Sequence, residues 1–387
     1  MTRAALDIPR LVIETTEENH EYDHLAGSEI SIFCHDKEFP SFIASEMENL
    51  YESLFSSFAK FSALKEEINT RAYVVRSAGK ISTVFLFRHE ERRVHVLNEF
   101  ISVGNEEMHR FSNHIFSKYK KVDVISFRAI KLTIQSFSYP YQRHNCIEDI
   151  VLSLPGSVQK YQTSLGKNMR KNIKTHLDRI RREYPSFSFT IYSTPEVNEH
   201  HVRSIIQFNR ERRAGKNKMS GIDEVEAQKF VNLVKACGLV AVVTIDGKIC
   251  AGKLFFKVGA NYFSLLNAHS PDFNEYRLGT LCNYLSICEC IDRGGKEFHF
   301  LWGREEFKYR FLGEQRDFDE LVIYRSLPHM ARHGLLAMKT AFNGRARQAR
   351  LWLLDPKRRD HYALKFVKKA LRYCRGITRQ LQLTREG

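Results

Sequence analysis

The sequence predicts an α/β protein with a mixed sheet, built as two halves of similar element order and followed by a basic helical tail. Three observations carry this reading. Short β-branched or aromatic runs alternate with stretches whose apolar side chains recur every three or four residues, the marks of strand and helix. The order helix, strands, helix, strand occurs in the first half and returns in outline in the second, without close sequence repetition. The stretch from Asn261 to Phe311 reads strand, loop, helix, strand without interruption.

A chain of 387 residues is too long for one ordinary domain. The expected divisions are a first half over 1–153, a second over 154–328 and a tail over 329–387. Residues 1 to about 40 are mixed and acidic, with one apolar run at Ile30–Phe33. From Ser41 to Leu64 a helical stripe runs through Phe42, Ile43, Met47, Leu50, Tyr51, Leu54, Phe55 and Phe58. Strands are expected at Ala72–Val75, Ile81–Phe87 and Val94–Leu97, with a hairpin turn at Gly79-Lys80. Met108–Tyr119 then reads as a helix and Val122–Phe127 as a strand.

In the second half, Tyr161, Leu165, Met169, Ile173, Leu177 and Ile180 mark one face of a helix expected from Ser157 to Tyr184. Lys160, Lys167, Arg170, Lys171, Lys174, Arg179, Arg181 and Arg182 lie away from that stripe. They form either a solvated face or a guide for an anionic partner. Phe187–Tyr192 alternates as a strand, and Pro195–Arg213 is helical with Val202, Ile205 and Ile206 inward. Asp223 is placed to cap a helix over Glu224–Cys237. Leu239–Ile245 and Ile249–Val258 form a hairpin over Asp246-Gly247. Between the two helices, Arg210–Met219 is a basic loop.

The organising stretch begins with a strand at Tyr262–Leu266. Leu281, Tyr284, Leu285, Cys288 and Ile291 give the helix its face, Gly294-Gly295 ends it, and Phe298–Trp302 is the next strand. Arg277-Leu278-Gly279-Thr280 opens the helix. First-turn amides have no intrahelical acceptor, and the helix dipole adds partial positive charge there. Gly279 clears the approach and Thr280 adds a hydroxyl donor, so the turn suits a phosphate or pyrophosphate. An ordinary capped helix on a sheet has the same pattern.

These residues resemble the acyl-CoA-binding half of the GNAT N-acetyltransferase superfamily. The resemblance is to the branch found in cellulose and exopolysaccharide biosynthesis proteins, itself akin to Fem-type transferases. It rests on His269, Pro271 and Phe273 in the loop after the strand, on Leu278-Gly279 at the helix start, and on Gly303, Phe307, Lys308 and Phe311 at the close. This chain carries Phe307 where the family more often has tyrosine. The resemblance spans roughly Leu154 to Tyr324 and implies the GNAT fold in both halves.

It also implies acetyl-CoA or another acyl-CoA as co-substrate and an amine acceptor, with an amino sugar or related envelope or exopolysaccharide precursor expected. The strand to Asn267 would offer a backbone donor to the thioester carbonyl, with Leu265 or Leu266 expected. Arg277, Leu278, Gly279 and Thr280 would hold the pyrophosphate, and the basic helix, Lys171 included, would meet CoA phosphates. His269 is the expected base by residue type, its reference pKa lying near neutrality. Glu275 and Glu305 are further candidates. Lys308 either contacts phosphate or substrate, or covers apolar surface with its stem.

Other classes fall away. No strand leads into GxGxxG, and no Walker loop, metalloprotease helix or nucleophile elbow occurs. Eight scattered cysteines fit no zinc template and are expected reduced. No apolar run approaches the roughly 18 residues of a membrane span, and no secretory leader is evident. A cytoplasmic protein is expected. Of the net charge of +15, residues 329–387 carry +12, from 15 Lys or Arg against three acidic residues. In that tail Trp352, Tyr362, Phe366 and Tyr373 interleave with the cations, and Asp355-Pro356 interrupts the helical pattern. Peripheral contact with the anionic inner face of a membrane is expected, ahead of nucleic acid. Two rival functions remain: a Fem-type transferase taking its acyl group from aminoacyl-tRNA, and a non-catalytic binding protein on the same fold.

Overall fold

The computed structural model describes residues 30–36, 39–40, 42–133, 137–215 and 221–354. The readings made for residues 1–29, for Lys216, Lys218 and Met219 of the basic loop, and for everything from Asp355 onward lie outside the described residues. The first half comprises β1 (Ile30–His35), α1 (Phe42–Tyr51), α2 (Phe58–Ala63), β2 (Arg71–Ser77), β3 (Lys80–Glu90), β4 (Arg93–Val96), β5 (Ile101–Val103), α3 (Asn105–Lys118), β6 (Val124–Leu132) and β7 (Tyr141–Ser153). The second opens with α4 (Val158–Ser164), α5 (Lys167–Glu183), β8 (Ser188–Ser193), α6 (Glu199–Ala214), α7 (Glu224–Cys237), β9 (Gly238–Ile245), β10 (Lys248–Val258) and β11 (Asn261–His269). It closes with α8 (Leu278–Asp292), β12 (Glu297–His299), α9 (Glu306–Arg310) and β13 (Glu314–Tyr324), after which come α10 (Leu327–Arg332) and α11 (Gly334–Leu354).

All the strands share one mixed sheet, ordered β1-β2-β3-β4-β6-β13-β7-β12-β11-β10-β9-β8, with β5 pairing beside β6 beyond the end of β4. The halves repeat one plan. In the first, β4 passes through α3 into the parallel strand β6; in the second, β11 passes through α8 into the parallel strand β12. Helices cover both faces. One face of the second half packs α4, α5 and α8 around Tyr161, Ile173, Ile180, Leu281 and Ile287; the other packs α6 and α7 around Val202, Ile205, Val231 and Val234. This is the mixed α/β architecture expected, in the element order that the resemblance implies.

The centre of the sheet departs from a linear division at residue 153. Strand β13, late in the chain, lies between β6 and β7, pairing antiparallel with both. Strand β7, early in the chain, lies between β13 and β12. Each half thus completes its sheet with a strand supplied by the other.

Several local boundaries also differ. The stripe expected from Ser41 to Leu64 is broken, because Glu52 turns to φ 42° and Ser57 caps α2 by accepting from the Lys60 amide. The long basic helix is two helices. Leu165 is extended and buried and Gly166 caps α5, yet the apolar stripe still reaches one core across the break. The strand expected at Phe298–Trp302 stops at His299, since Leu301 adopts φ 59° and leaves the ladder. The Asp223 cap forms as expected, its side chain accepting from the Glu226 amide. Among the described residues no helix is long and apolar enough to cross a membrane.

Part of the expected tail is docked on the body. Asp123, 1% exposed, sits among Arg92, His329, Arg332 and His333. Although burial alone would raise the carboxyl, hydrogen bonds from Arg92 and His333 hold its pKa at about 2. Further along, Arg347 of α11 pairs with Glu148 and reaches Asn145 at 3.2 Å, while Gln142 donates to the Ala337 carbonyl at 3.1 Å. At Gly344 a Cβ would come within 2.9 Å of His144 Cβ, so only glycine permits this approach of α11 to β7.

Candidate active site

The parallel pairing of β11 with β12 lasts only from Asn261–Phe263 against Glu297–His299. Beyond it the strands part, and a cleft of about 640 Å³ opens between Ser264–Asn267 on one side and Phe300–Trp302 on the other. On the opposite edge of β11 the register with β10 slips by one residue, from Leu254↔Leu266 to Phe255↔Ser264. Leu265 therefore has no residue opposite it on either neighbouring strand. Such a bulge frees backbone groups from the ladder, and Leu265 lines the cleft.

The start of α8 forms the next wall. Pro271–Tyr276 is a 3₁₀ turn, and Arg277 at φ 54°, ψ 37° swings the chain into α8 as its N-cap. No acidic residue occupies the first turn, and the Arg277 side chain is exposed beside it. Asn267 donates to the Gly279 carbonyl at 2.8 Å, fastening β11 to that turn. A Cβ on Gly279 would lie 3.1 Å from His269 Nδ1, so glycine is what lets the turn sit this close to the strand. The Thr280 amide donates to the Arg277 carbonyl at 2.8 Å, helix geometry leaves the Leu278 and Gly279 amides without intrahelical acceptors, and the helix dipole adds partial positive charge, so the turn suits an anion.

Of the residues singled out from sequence, Leu265, Leu266, Asn267, His269, Arg277, Gly279, Thr280 and Lys308 all line the cleft. His269 Nε2 lies 3.0 Å from Asn274 Oδ1. An amide oxygen can only accept, so in this contact Nε2 is the donor. Three others stand elsewhere. Leu278 is buried in the core that α8 shares with α4 and α5. Glu275 is on the surface, 2.6 Å from Arg179 of α5, and Arg179 also stacks 4.7 Å over Tyr276; Glu275 fastens the 3₁₀ turn rather than facing the cleft. Lys171 is exposed on α5, away from the cleft lining.

Lys308 is in the cleft wall but its ammonium is occupied. It is 5% exposed and donates to the carbonyls of Leu301 at 3.1 Å and Gly303 at 3.0 Å, and to that of Trp302. Glu305 lies 3.1 Å away, and burial, the largest influence on the ammonium, lowers the pKa of Lys308. Three donors on one ammonium match three converging carbonyls. The side chain clamps the left-handed turn at Leu301 and Gly303 that forms the far wall.

Sequence reasoning missed a second lysine. Lys253 of β10 is wholly buried, 4.5 Å over the Phe298 ring, and donates to Asn283 Oδ1. Burial pushes its pKa down to about 8. Asn283 lines the cleft from α8. An ammonium can only donate, so it fixes the amide with Oδ1 toward Lys253 and leaves the NH₂ for a ligand. The available signal was a cation inside the apolar run Ile249–Val258. Asn209 and Arg212 of α6 and Trp302 complete the lining; Arg212 was visible only as one of a cluster of arginines.

Behind the far wall, His299 is stacked on Phe263 with ring centroids 4.3 Å apart and lies 2.7 Å from Asp149 and 3.4 Å from Glu297. Burial works against its charge, but the two carboxylates outweigh it and raise the pKa. The His299 ring beside it and the two hydrogen bonds from Arg316 hold Glu297 at about 2. Among the described residues no group of His, Cys, Asp and Glu could hold a metal ion.

Residues 167–309 match the acetyltransferase (GNAT) domain family. The crystal structure of FemX aligns with 76% of this chain and 98% of its own at 10% identity, with a TM-score of 0.55. That likeness shows a shared fold and nothing more. L-PGS from Bacillus licheniformis covers 80% of this chain and 98% of its own at 13% identity, with a TM-score of 0.47. No curated protein matches the chain in sequence. The stretch 167–309, which holds the bulged strand, the start of α8 and most of the cleft between them, is thus a match to the GNAT-type acetyltransferase domain, on a fold shared with FemX.

Proposed function

We propose that the protein is an acyl-CoA-dependent N-acyltransferase acting on an amino sugar or a related envelope or exopolysaccharide precursor. The observation that carries this is the pairing of two features across one cleft: a bulged strand at Leu265 and an acid-free helix start at Arg277-Leu278-Gly279-Thr280. A thioester is already activated, so the protein has to bring the amine to the carbonyl, take up its proton and stabilise the oxyanion. The pyrophosphate would rest on the first turn of α8 and the pantetheine arm along β11. The thioester oxygen would then accept from the backbone amide at Leu265 or Leu266, with the Asn283 amide as a side-chain donor nearby. The amine nitrogen forms its bond to the acyl carbon, the carbon–sulfur bond breaks, and the thiolate leaves. The His269 ring would take up the proton that the amine loses.

Calorimetry with acetyl-CoA and longer acyl-CoAs tests the reading: binding is expected, and Gly279→Trp should abolish it. A folded sample that binds no acyl-CoA but binds charged tRNA would transfer the reaction to the Fem-type alternative, which the same fold accommodates. The acceptor class rests on the sequence resemblance, and a screen of amino sugars with each acyl donor is its test.

A further inference from the structure

Helix α11 has its apolar side turned outward. Its inner face, which rests on β7 and the body, carries Leu336, Ala337, Thr340, Gly344 and Arg347. The outer face carries Leu335, 86% exposed, with Met338 and Phe342 each 71% exposed. At about 100° per residue these three fall within roughly 60° of one another, and Trp352 continues along the same side. Lys339 and Arg350 flank the stripe on one side and Arg345 on the other, all exposed. The segment 334–354 contains four cations and no acidic residue. The Asp123 cluster on α10 and the Arg347–Glu148 pair on α11 hold the helix against the body, so this face is presented and cannot turn inward.

We propose that the outer face of α11 docks the protein on an anionic lipid surface, with Leu335, Met338 and Phe342 entering the acyl boundary and Lys339, Arg345 and Arg350 meeting the headgroups. Charge decides among occupants. Residues 355–387 hold ten Lys or Arg against three acidic residues, the same sign as the helix, and a second copy of α11 would bring like charges together. A nucleic acid would satisfy the cations but would leave the aliphatic surface of Leu335 and Met338 against water. An anionic bilayer matches both properties, and an apolar face flanked by cations is the pattern of a helix lying in the interface.

The test is co-sedimentation of the full chain with vesicles of equal parts phosphatidylglycerol and phosphatidylcholine, and with pure phosphatidylcholine. Binding is expected to the first and weakly to the second, and to fall with salt. The combined Leu335→Glu, Met338→Glu and Phe342→Glu variant should lose at least about tenfold in vesicle binding while keeping its melting temperature, because all three side chains are exposed. The combined Lys339→Gln, Arg345→Gln and Arg350→Gln variant should also bind less, with a shallower salt dependence. If the acidic set lowers the melting temperature, the glutamine set decides, and unchanged vesicle binding by it overturns the proposal. Absence of wild-type binding, or equal binding by the acidic variant, overturns it too. So does a wild-type dimer that the acidic set dissociates without any vesicle binding, which would give the face to a second copy. An RNA duplex bound as tightly as the vesicles, with the acidic variant unaffected, would give the interaction to cations elsewhere.

Discussion

Replacing Lys308 with methionine separates two roles that the sequence left open. The structure commits this ammonium to the carbonyls of Leu301, Trp302 and Gly303, with Glu305 at its side. Hydrogen bonds to a charged group are worth about 1.5–3 kcal/mol each. Two offsets reduce the total. Burial already disfavours the charge, as its lowered pKa records, and the Trp302 and Gly303 carbonyls lie near enough to solvent to regain water. The left-handed conformation of Leu301 adds about 1 kcal/mol of strain that the clamp holds in place. Lys308→Met should therefore lower unfolding stability by about 3 kcal/mol in a denaturant titration, and weaken acyl-CoA binding about tenfold as Leu301 and Trp302 lose their position. Lys308→Arg should not rescue either effect, because a planar guanidinium cannot direct three donors to three converging carbonyls. An unchanged denaturation midpoint combined with lost turnover would refute the clamp and return the ammonium to the substrate.

Four other outcomes are expected. His269→Ala should lower turnover roughly a hundredfold while leaving acyl-CoA affinity unchanged, as read by steady-state kinetics beside calorimetry; wild-type turnover would assign the ring to holding Asn274. Gly279→Trp should abolish acyl-CoA binding without unfolding the protein, because the added ring fills the approach to the first turn of α8; calorimetry beside a thermal melt reads both. His299 has a folded pKa raised above its unfolded value, so its contribution is complete below about pH 6.5 and fades as pH rises through the folded value. The melting-temperature advantage of wild type over His299→Gln should accordingly be largest near pH 6 and shrink in alkaline buffer. A chain ending at Pro328 should melt lower than one ending at Leu354, since the first strips His329, Arg332 and His333 from Asp123 and Arg347 from Glu148; equal melting would mean that the docked helices add nothing to the body.

What could be read from sequence depended on whether a residue's partners were local. The α7 cap, the Asp246-Gly247 hairpin and the face of α8 are written in short-range patterns, and they appear where expected. Strands β7 and β13 escaped because their polar residues find partners only in the folded sheet. Arg143 meets Asp319 at 2.5 Å, and Arg316 meets Glu297 on β12 at 2.6 Å. In sequence those segments lack the apolar alternation of a strand, and pairing across about 170 residues has no local signature. The site divides in the same way. The helix start and its glycine were legible because backbone geometry demands them. Lys253 and Asn283 were not, because each matters only through the other, across 30 residues and from neighbouring elements. Lys308 was found by position, but three carbonyls contributed by a loop leave no trace in a side-chain motif.

The exchanged strands at the centre of the sheet set a timetable for synthesis. When the first 153 residues have left the ribosome, β6 has β4 and β5 on one edge but lacks β13 on the other, and β7 has neither β13 nor β12 to pair with. Both missing strands lie more than 140 residues downstream, which at translation rates of about 5–20 residues per second leaves open sheet edges for several seconds or more. Unpaired edges of that kind invite pairing with other chains. The nascent first half therefore has a built-in interval of vulnerability that ends only when residues 314–324 thread between β6 and β7. Separate expression of the halves should yield two sticky fragments, and mixing them while still unfolded should recover the native sheet better than mixing them after each has collapsed.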